Sequence, residues 1–90
     1  MYMGRVVGSI EASQKDQSLT GKKLMIVQQV NSDKEAIRYE EVAADTVGAG
    51  VGEYVLLVKG AGARKSNKEA YQIKDVVDCA IVGIIDRFNK

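Results

Sequence analysis

Asp45-Thr46-Val47-Gly48-Ala49-Gly50-Val51-Gly52-Glu53-Tyr54-Val55-Leu56-Leu57-Val58 is the stretch that decides how this chain folds. Glycines at alternate positions, Gly48, Gly50 and Gly52, let the backbone take positive φ angles or approach another chain closely. The apolar run that follows is short, rich in β-branched residues and bounded by glycine, which is the pattern of a strand. A dinucleotide-binding fingerprint would need its third glycine at Glu53 and a helix where residues 54–58 read as strand, so no nucleotide cofactor is expected. The stretch reads as a shaped loop feeding a β-strand.

Working outward, five segments carry the same strand character: roughly 3–12, 22–30, 39–46, 53–59 and 78–87. Polar runs at 11–21 and 31–35 separate the first three and read as surface loops. No long stretch sustains a 3.6-residue apolar period, which argues against a helical bundle. The connection 60–77 contains Ser66-Asn67-Lys68-Glu69, a capping-box pattern that predicts one short helix. The expected architecture is mainly β, a small five-stranded barrel forming a single domain over residues 1–90.

Alternation along the strands sharpens this picture, because successive side chains point to opposite faces. In the first strand Val6, Gly8 and Ile10 share one face, while Arg5, Val7 and Ser9 share the other. In the fourth, Tyr54, Leu56 and Val58 oppose Val55 and Leu57; in the last, Cys79, Ile81 and Ile85 oppose Ala80, Val82 and Ile84. Strands apolar on both faces need cover outside the barrel, and a neighbouring subunit is the preferred source. Gly8 and Gly83 lie within strands, where they permit the bends that close a small barrel.

Composition bounds function by exclusion. Thirteen Lys+Arg against twelve Asp+Glu leave a formal charge of +1, without a strong field for nucleic acid or anionic membrane. No apolar run approaches the roughly 20 residues of a membrane-spanning helix, and no signal-peptide pattern opens the chain, so a cytosolic protein is expected. With no histidine and Cys79 as the sole cysteine, neither a disulfide framework nor a Cys/His zinc site can form within one chain. Gly60-Ala61-Gly62-Ala63-Arg64-Lys65-Ser66 fails as a phosphate loop because Arg64 stands where glycine is required. No nucleophile–base pair or carboxylate pair suggests catalysis. Cys79 has no sequence-local group to activate it, and core packing is its expected role. Glu53 is expected to hydrogen-bond to backbone amides.

The stretch Val47-Gly48-Ala49-Gly50-Val51-Gly52-Glu53-Tyr54-Val55-Leu56-Leu57-Val58 resembles the signature of the EutN/CcmL family: a glycine loop ending in Glu, an aromatic, then an apolar strand. Leu19-Thr20-Gly21-Lys22-Lys23-Leu24-Met25-Ile26-Val27 is similar to the family's second strand, Gly60-Ala61-Gly62-Ala63-Arg64 to its small-residue turn, and Asp78-Cys79-Ala80-Ile81-Val82-Gly83-Ile84-Ile85-Asp86 to its closing strand. Tyr54 stands where a tryptophan is common, Val77 where many members have proline, and the chain ends at Asn89-Lys90 where some continue.

The resemblance implies an oligonucleotide-binding-type barrel that assembles as a homopentameric ring and caps the vertices of a cytoplasmic bacterial microcompartment shell. Hexameric shell proteins would be its neighbours, with no catalytic residue, cofactor or metal. It places Gly48, Ala49, Gly50, Val51, Gly52 and Glu53 at or near the ring's axial opening, and Tyr54, Leu57, Arg64, Val82 and Ile84 are the expected subunit contacts. The competing reading is a single-stranded nucleic-acid-binding barrel, for which Tyr54 and Tyr71 lie near Lys59, Arg64, Lys65, Lys68 and Lys74.

Overall fold

The computed structural model describes residues 1–12, 17–19, 21–60 and 77–90. Five strands run as β1 (Tyr2–Ile10), β2 (Lys23–Val30), β3 (Ala36–Asp45), β4 (Tyr54–Lys59) and β5 (Cys79–Ile84), with a 3₁₀ turn at Gln17–Leu19. They close into a barrel in the order β1-β2-β3-β5-β4, with β4 returning to pair with β1. The five expected strands are all present. The capping box at 66–69 and Arg64 lie outside the described residues.

β3 begins earlier than the sequence suggests. Asn31 closes the β2–β3 turn by donating its N–H to the Glu35 carbonyl at 3.0 Å, so pairing resumes at once and Ala36 already faces Val30. The Asn31 side chain fixes the turn, its Oδ1 accepting from the amides of Asp33 at 2.9 Å and Glu35 at 3.0 Å.

The barrel interior is filled by Val6 from β1, Met25 and Val27 from β2, Ala43 from β3, Val55 and Leu57 from β4, and Cys79 and Ile81 from β5, with Ala49 at one end. This is the alternation anticipated for β4. In two other strands the alternation resets. Against β2, β1 carries one extra residue between Val6 and Gly8; against β4, β5 carries one between Ile81 and Gly83. An extra residue in one strand of an antiparallel pair reverses the facing of everything beyond it. Gly8 therefore no longer shares a face with Val6 but lies opposite Ile26, and Ile84 pairs with Val55 and packs against the interior instead of pointing outward. Gly8 and Gly83 sit at these irregularities, and a Cβ on either would come 3.3 Å from a neighbouring Cδ1, that of Ile26 or Leu56.

The outer face of the β3–β5 seam is a second small core. Ala44, Val77 and Ala80 are buried there, with Leu19, Leu24, Val58 and Val82 packed against them. Residues outside the strands thus cover part of the outward apolar surface at this seam, a share of the cover that the sequence reading assigned to a neighbouring subunit. Leu19 and Val77, from outside the strands, can reach across because Ala44 and Ala80 are small.

Gly4, on β1, is a packing constraint. A Cβ there would lie 2.7 Å from Leu57 Cδ1 and 3.1 Å from the Gln28 carbonyl oxygen, and backbone cannot yield as a side-chain end can. Gly4→Val is expected to destabilise the fold by about 1–3 kcal/mol, read as a lowered urea midpoint at fixed protein concentration.

Candidate functional site

The glycine loop leaves β3 at Asp45, whose side chain is only 1% exposed. Its two oxygens gather the loop: Oδ1 accepts from the amides of Val47 at 3.0 Å and Gly48 at 3.1 Å, and Oδ2 from Ala49 at 2.8 Å. Lys23 Nζ lies 3.7 Å from Asp45 Oδ2 and donates to the Ala49 carbonyl at 2.9 Å. A buried carboxylate accepting three amides beside an ammonium has its charge well compensated. The loop's second half is pinned by Glu53, whose Oε1 accepts from the Gly50 amide at 2.6 Å, the backbone role expected for it.

β1 completes the anchorage. Gly52 donates to the Val6 carbonyl at 2.7 Å, and Val6 donates to the Glu53 carbonyl at 2.9 Å. Gly48 and Gly52 take φ of 77° and 97°, so the left-handed conformation requires glycine at both. Ala49 is buried in the core, whereas Val47 and Val51 are 40% and 63% exposed. The loop is therefore a preformed turn with an apolar tip, and the amides of residues 47–50 are satisfied within the chain.

The expected subunit contacts fall in different places. Leu57 is completely buried inside the barrel and cannot contact a neighbour without unfolding; the strand alternation places it beside Val55, within. Ile84 is partly buried against the same core, turned inward by the β5 irregularity. Val82 is partly buried on the outer face.

Tyr54 is occupied by its own chain. Phe88 meets it edge-on with ring centroids 5.5 Å apart and planes at 89°. The Arg5 guanidinium lies 6.0 Å and the Lys34 ammonium 5.3 Å from the Tyr54 ring centre. Ile85 donates to the Tyr54 carbonyl at 2.8 Å, which ends β5 and directs the tail across this ring.

At the opposite end of β4, four strands share a polar cluster that no local sequence signal announces. Tyr2 Oη donates to Glu41 Oε1 at 2.9 Å and lies 3.1 Å from Cys79 Sγ. Lys59 Nζ pairs with Glu41 Oε2 at 2.6 Å and sits 5.4 Å from the Tyr2 ring centre. Burial, then the bonds to Cys79 and Glu41, holds the Tyr2 hydroxyl far above the ordinary phenol range. Burial likewise pushes the Cys79 thiol up, against the lowering effect of its contact with Tyr2. The Glu41 carboxylate raises the Lys59 ammonium. A thiol so protonated and enclosed is a packing group, not a nucleophile. An apolar hollow outside the barrel, lined by Leu19, Leu24, Val42, Ala44, Val77 and Cys79 with Asp78 at its rim, offers no convergent polar groups for chemistry. Among the described residues no three His, Cys, Asp or Glu side chains are grouped to hold a metal.

Comparison with known proteins gives a consistent result. The family model described as "Ethanolamine utilisation protein EutN/carboxysome" matches residues 1–86. The microcompartment shell vertex protein PduN of Salmonella typhimurium is 43% identical over 93 aligned residues, covering 99% of both chains. The carboxysome shell vertex protein CcmL of Gloeobacter violaceus is 41% identical, covering 96% of this chain and 83% of its own. The solved pentameric microcompartment shell protein GrpN of Rhodospirillum rubrum superposes with a TM-score of 0.87 at 37% identity, over 100% of this chain and 99% of that one.

Two outcomes test the site's construction. Asp45→Ala leaves the fully buried Ala49 without its acceptor and is expected to cost about 1–3 kcal/mol, with faster hydrogen exchange at the amides of residues 47–49; Asp45→Asn retains one oxygen and loses less. Alkylation of Cys79 at pH 8 is expected to run at least about a hundredfold slower in the native protein than in denaturant, measured by iodoacetamide labelling and mass spectrometry.

Proposed function

Because this chain belongs to the EutN/CcmL family, we propose that five copies of it close into a ring that caps a vertex of a bacterial microcompartment shell. The observation that carries the reading is the whole-length likeness to a shell protein that is itself pentameric. A ring of five closes because each copy meets the next through two dissimilar patches related by a fixed rotation. Such a ring introduces curvature where flat hexagonal tiles cannot close. The role is structural and not enzymatic, as it is for the family's shell vertex proteins. Its neighbours in the shell are hexameric shell proteins, and its setting is the cytoplasm.

Within the ring, the glycine loop lies around the axial opening. Gly48, Gly50 and Gly52 keep the backbone slim, Val51 forms the tip, and Ala49 and Glu53 buttress it from behind. Support for this placement comes from the loop's construction: its shape is set by Asp45, Glu53 and Val6 within one chain, so assembly need not pay to order it. An apolar tip on an otherwise satisfied loop suits close packing with copies of itself. The nucleic-acid reading finds less support, since Tyr2 and Tyr54 are engaged inside the chain and exposed Tyr39 is followed by Glu40 and Glu41.

Native mass spectrometry of the purified chain is expected to give a five-subunit species. Val51→Glu, which would bring five carboxylates together around the axis, is expected to abolish that species while far-UV circular dichroism stays β-type. A stable monomer for the unmodified chain at high concentration would overturn the ring, and an intact Val51→Glu ring would overturn the axial placement.

A further inference from the structure

Five consecutive exposed residues, Ala36 to Glu40, form the first half of β3. On one side this segment meets β2 at Val30 opposite Ala36 and Gln28 opposite Glu40, and between them the register is irregular, with Ile37, Arg38 and Tyr39 standing against Gln29 alone. On its other side β3 meets β5 only at Ala44 and Asp45, so from Ala36 to Ala43 that edge has no strand partner among the described residues. Ile37 is 48% exposed, Tyr39 65% and Val42 47%. An open strand edge bearing apolar side chains is a template for another chain.

The segment is also braced. Lys34, at the turn that leads into it, takes a left-handed φ of 65°, a conformation a lysine adopts at a cost and that persists only when its surroundings hold it. They do so here: its ammonium lies 5.3 Å from the Tyr54 ring centre and 5.5 Å from that of Phe88. Lys90 reaches back from the tail to Asp33 at 2.5 Å, and Gln28 Nε2 donates to the Arg38 carbonyl. The chain's own C-terminal residues thus fasten the tip of the β2–β3 hairpin to the barrel. A loose hairpin would have to be ordered on binding; a braced one presents its edge ready shaped.

We propose that the edge of β3 left without a strand partner among the described residues, Ala36–Ala43, with Ile37, Tyr39 and Val42, is the surface on which a second copy of this chain docks. The inference rests on the ring reading and deepens it, since a head-to-tail ring requires each copy to offer one patch to the copy beside it. Continuity with that ring selects the occupant. A formal charge of +1 adds little repulsion between copies, and Arg38 and Glu40 present both signs along the strand. Main-chain pairing at the edge would supply affinity, and Ile37 and Tyr39 the side-chain fit.

The experiment pairs hydrogen exchange on the unmodified chain with native mass spectrometry of the Ile37→Glu/Tyr39→Glu variant. In the assembled protein the amides of residues 36–43 should exchange more slowly than in protein diluted until it dissociates, a comparison that needs no variant to fold. The double variant, with its β-type circular dichroism retained, should raise the concentration at half-dissociation by at least about thirtyfold. Slow exchange that is the same in assembled and dissociated protein, or fast exchange in both, overturns the proposal. So does a variant that assembles like the unmodified chain, and the edge would then be a solvent strand guarded by its charges. If the unmodified chain forms an assembly of another size that the variant dissolves, the ring of five fails while the docking edge stands. An unmodified chain that never associates overturns both.

Discussion

The barrel depends on one short junction. Four of its five strand contacts are antiparallel ladders, but β3 and β5 meet in parallel over two residue pairs, Ala44 with Ala80 and Asp45 with Ile81. Parallel pairing is slightly weaker per residue, and two pairs make a slender closure for a sheet that would otherwise keep two open edges. The surroundings reinforce it. Thr46 adds two donations to the Ile81 carbonyl, from its hydroxyl at 2.6 Å and its amide at 3.3 Å. Gly60 donates to Asp78 at 2.9 Å just before β5. Farther along, Tyr2, Glu41, Lys59 and Cys79 link β1, β3, β4 and β5 where β3 and β5 have already parted.

Asp45 shows why the glycine loop cannot be separated from that junction. Its backbone stands in the parallel pairing, while its buried side chain holds the amides of residues 47–49. Moving Asp45 would open the loop and the seam together. The three glycines give the loop permission to turn; the carboxylate gives it a reason to turn there. The loop's shape and the barrel's closure thus meet in one residue.

Much of this was legible in the sequence, and the exceptions have physical causes. Strand positions and the inward Val55 and Leu57 follow from local pattern, which depends only on neighbours in the chain. Face assignments failed at Gly8 and Ile84 because each follows an extra residue in its ladder, and period-two counting cannot detect an insertion that exists only relative to a partner strand. Leu57 was placed at a subunit contact although the alternation put it beside Val55. The Tyr2–Cys79 contact joins residues 77 apart, and Lys34 meets Tyr54 and Phe88 only once β2 and β3 have been folded back. Such contacts are consequences of topology, and single-sequence periodicity carries none. Glu53 was the exception: its bond to Gly50 spans three residues and could be anticipated from local spacing.

What the chain covers for itself bears on what a neighbour must cover. The outer face of β5, which carries Val82 of the five expected subunit contacts, is partly packed by Leu19, Leu24 and Val77, so less apolar surface is left there for a neighbour. Among the described residues most of the exposed large apolar side chains, all but Val7 on β1 and Met1 just before it, lie along β3 and in the glycine loop. These two regions are the ends of one continuous segment that passes through the parallel junction at Asp45. A neighbour bound to the β3 edge would supply hydrogen bonds on the side that β5 leaves vacant, holding β3 in the position that the two-residue junction requires. Its binding free energy would then add to barrel closure, because only the closed barrel presents the edge in register. The weakest closure in the monomer and the strongest invitation to assemble would thus lie on the same strand.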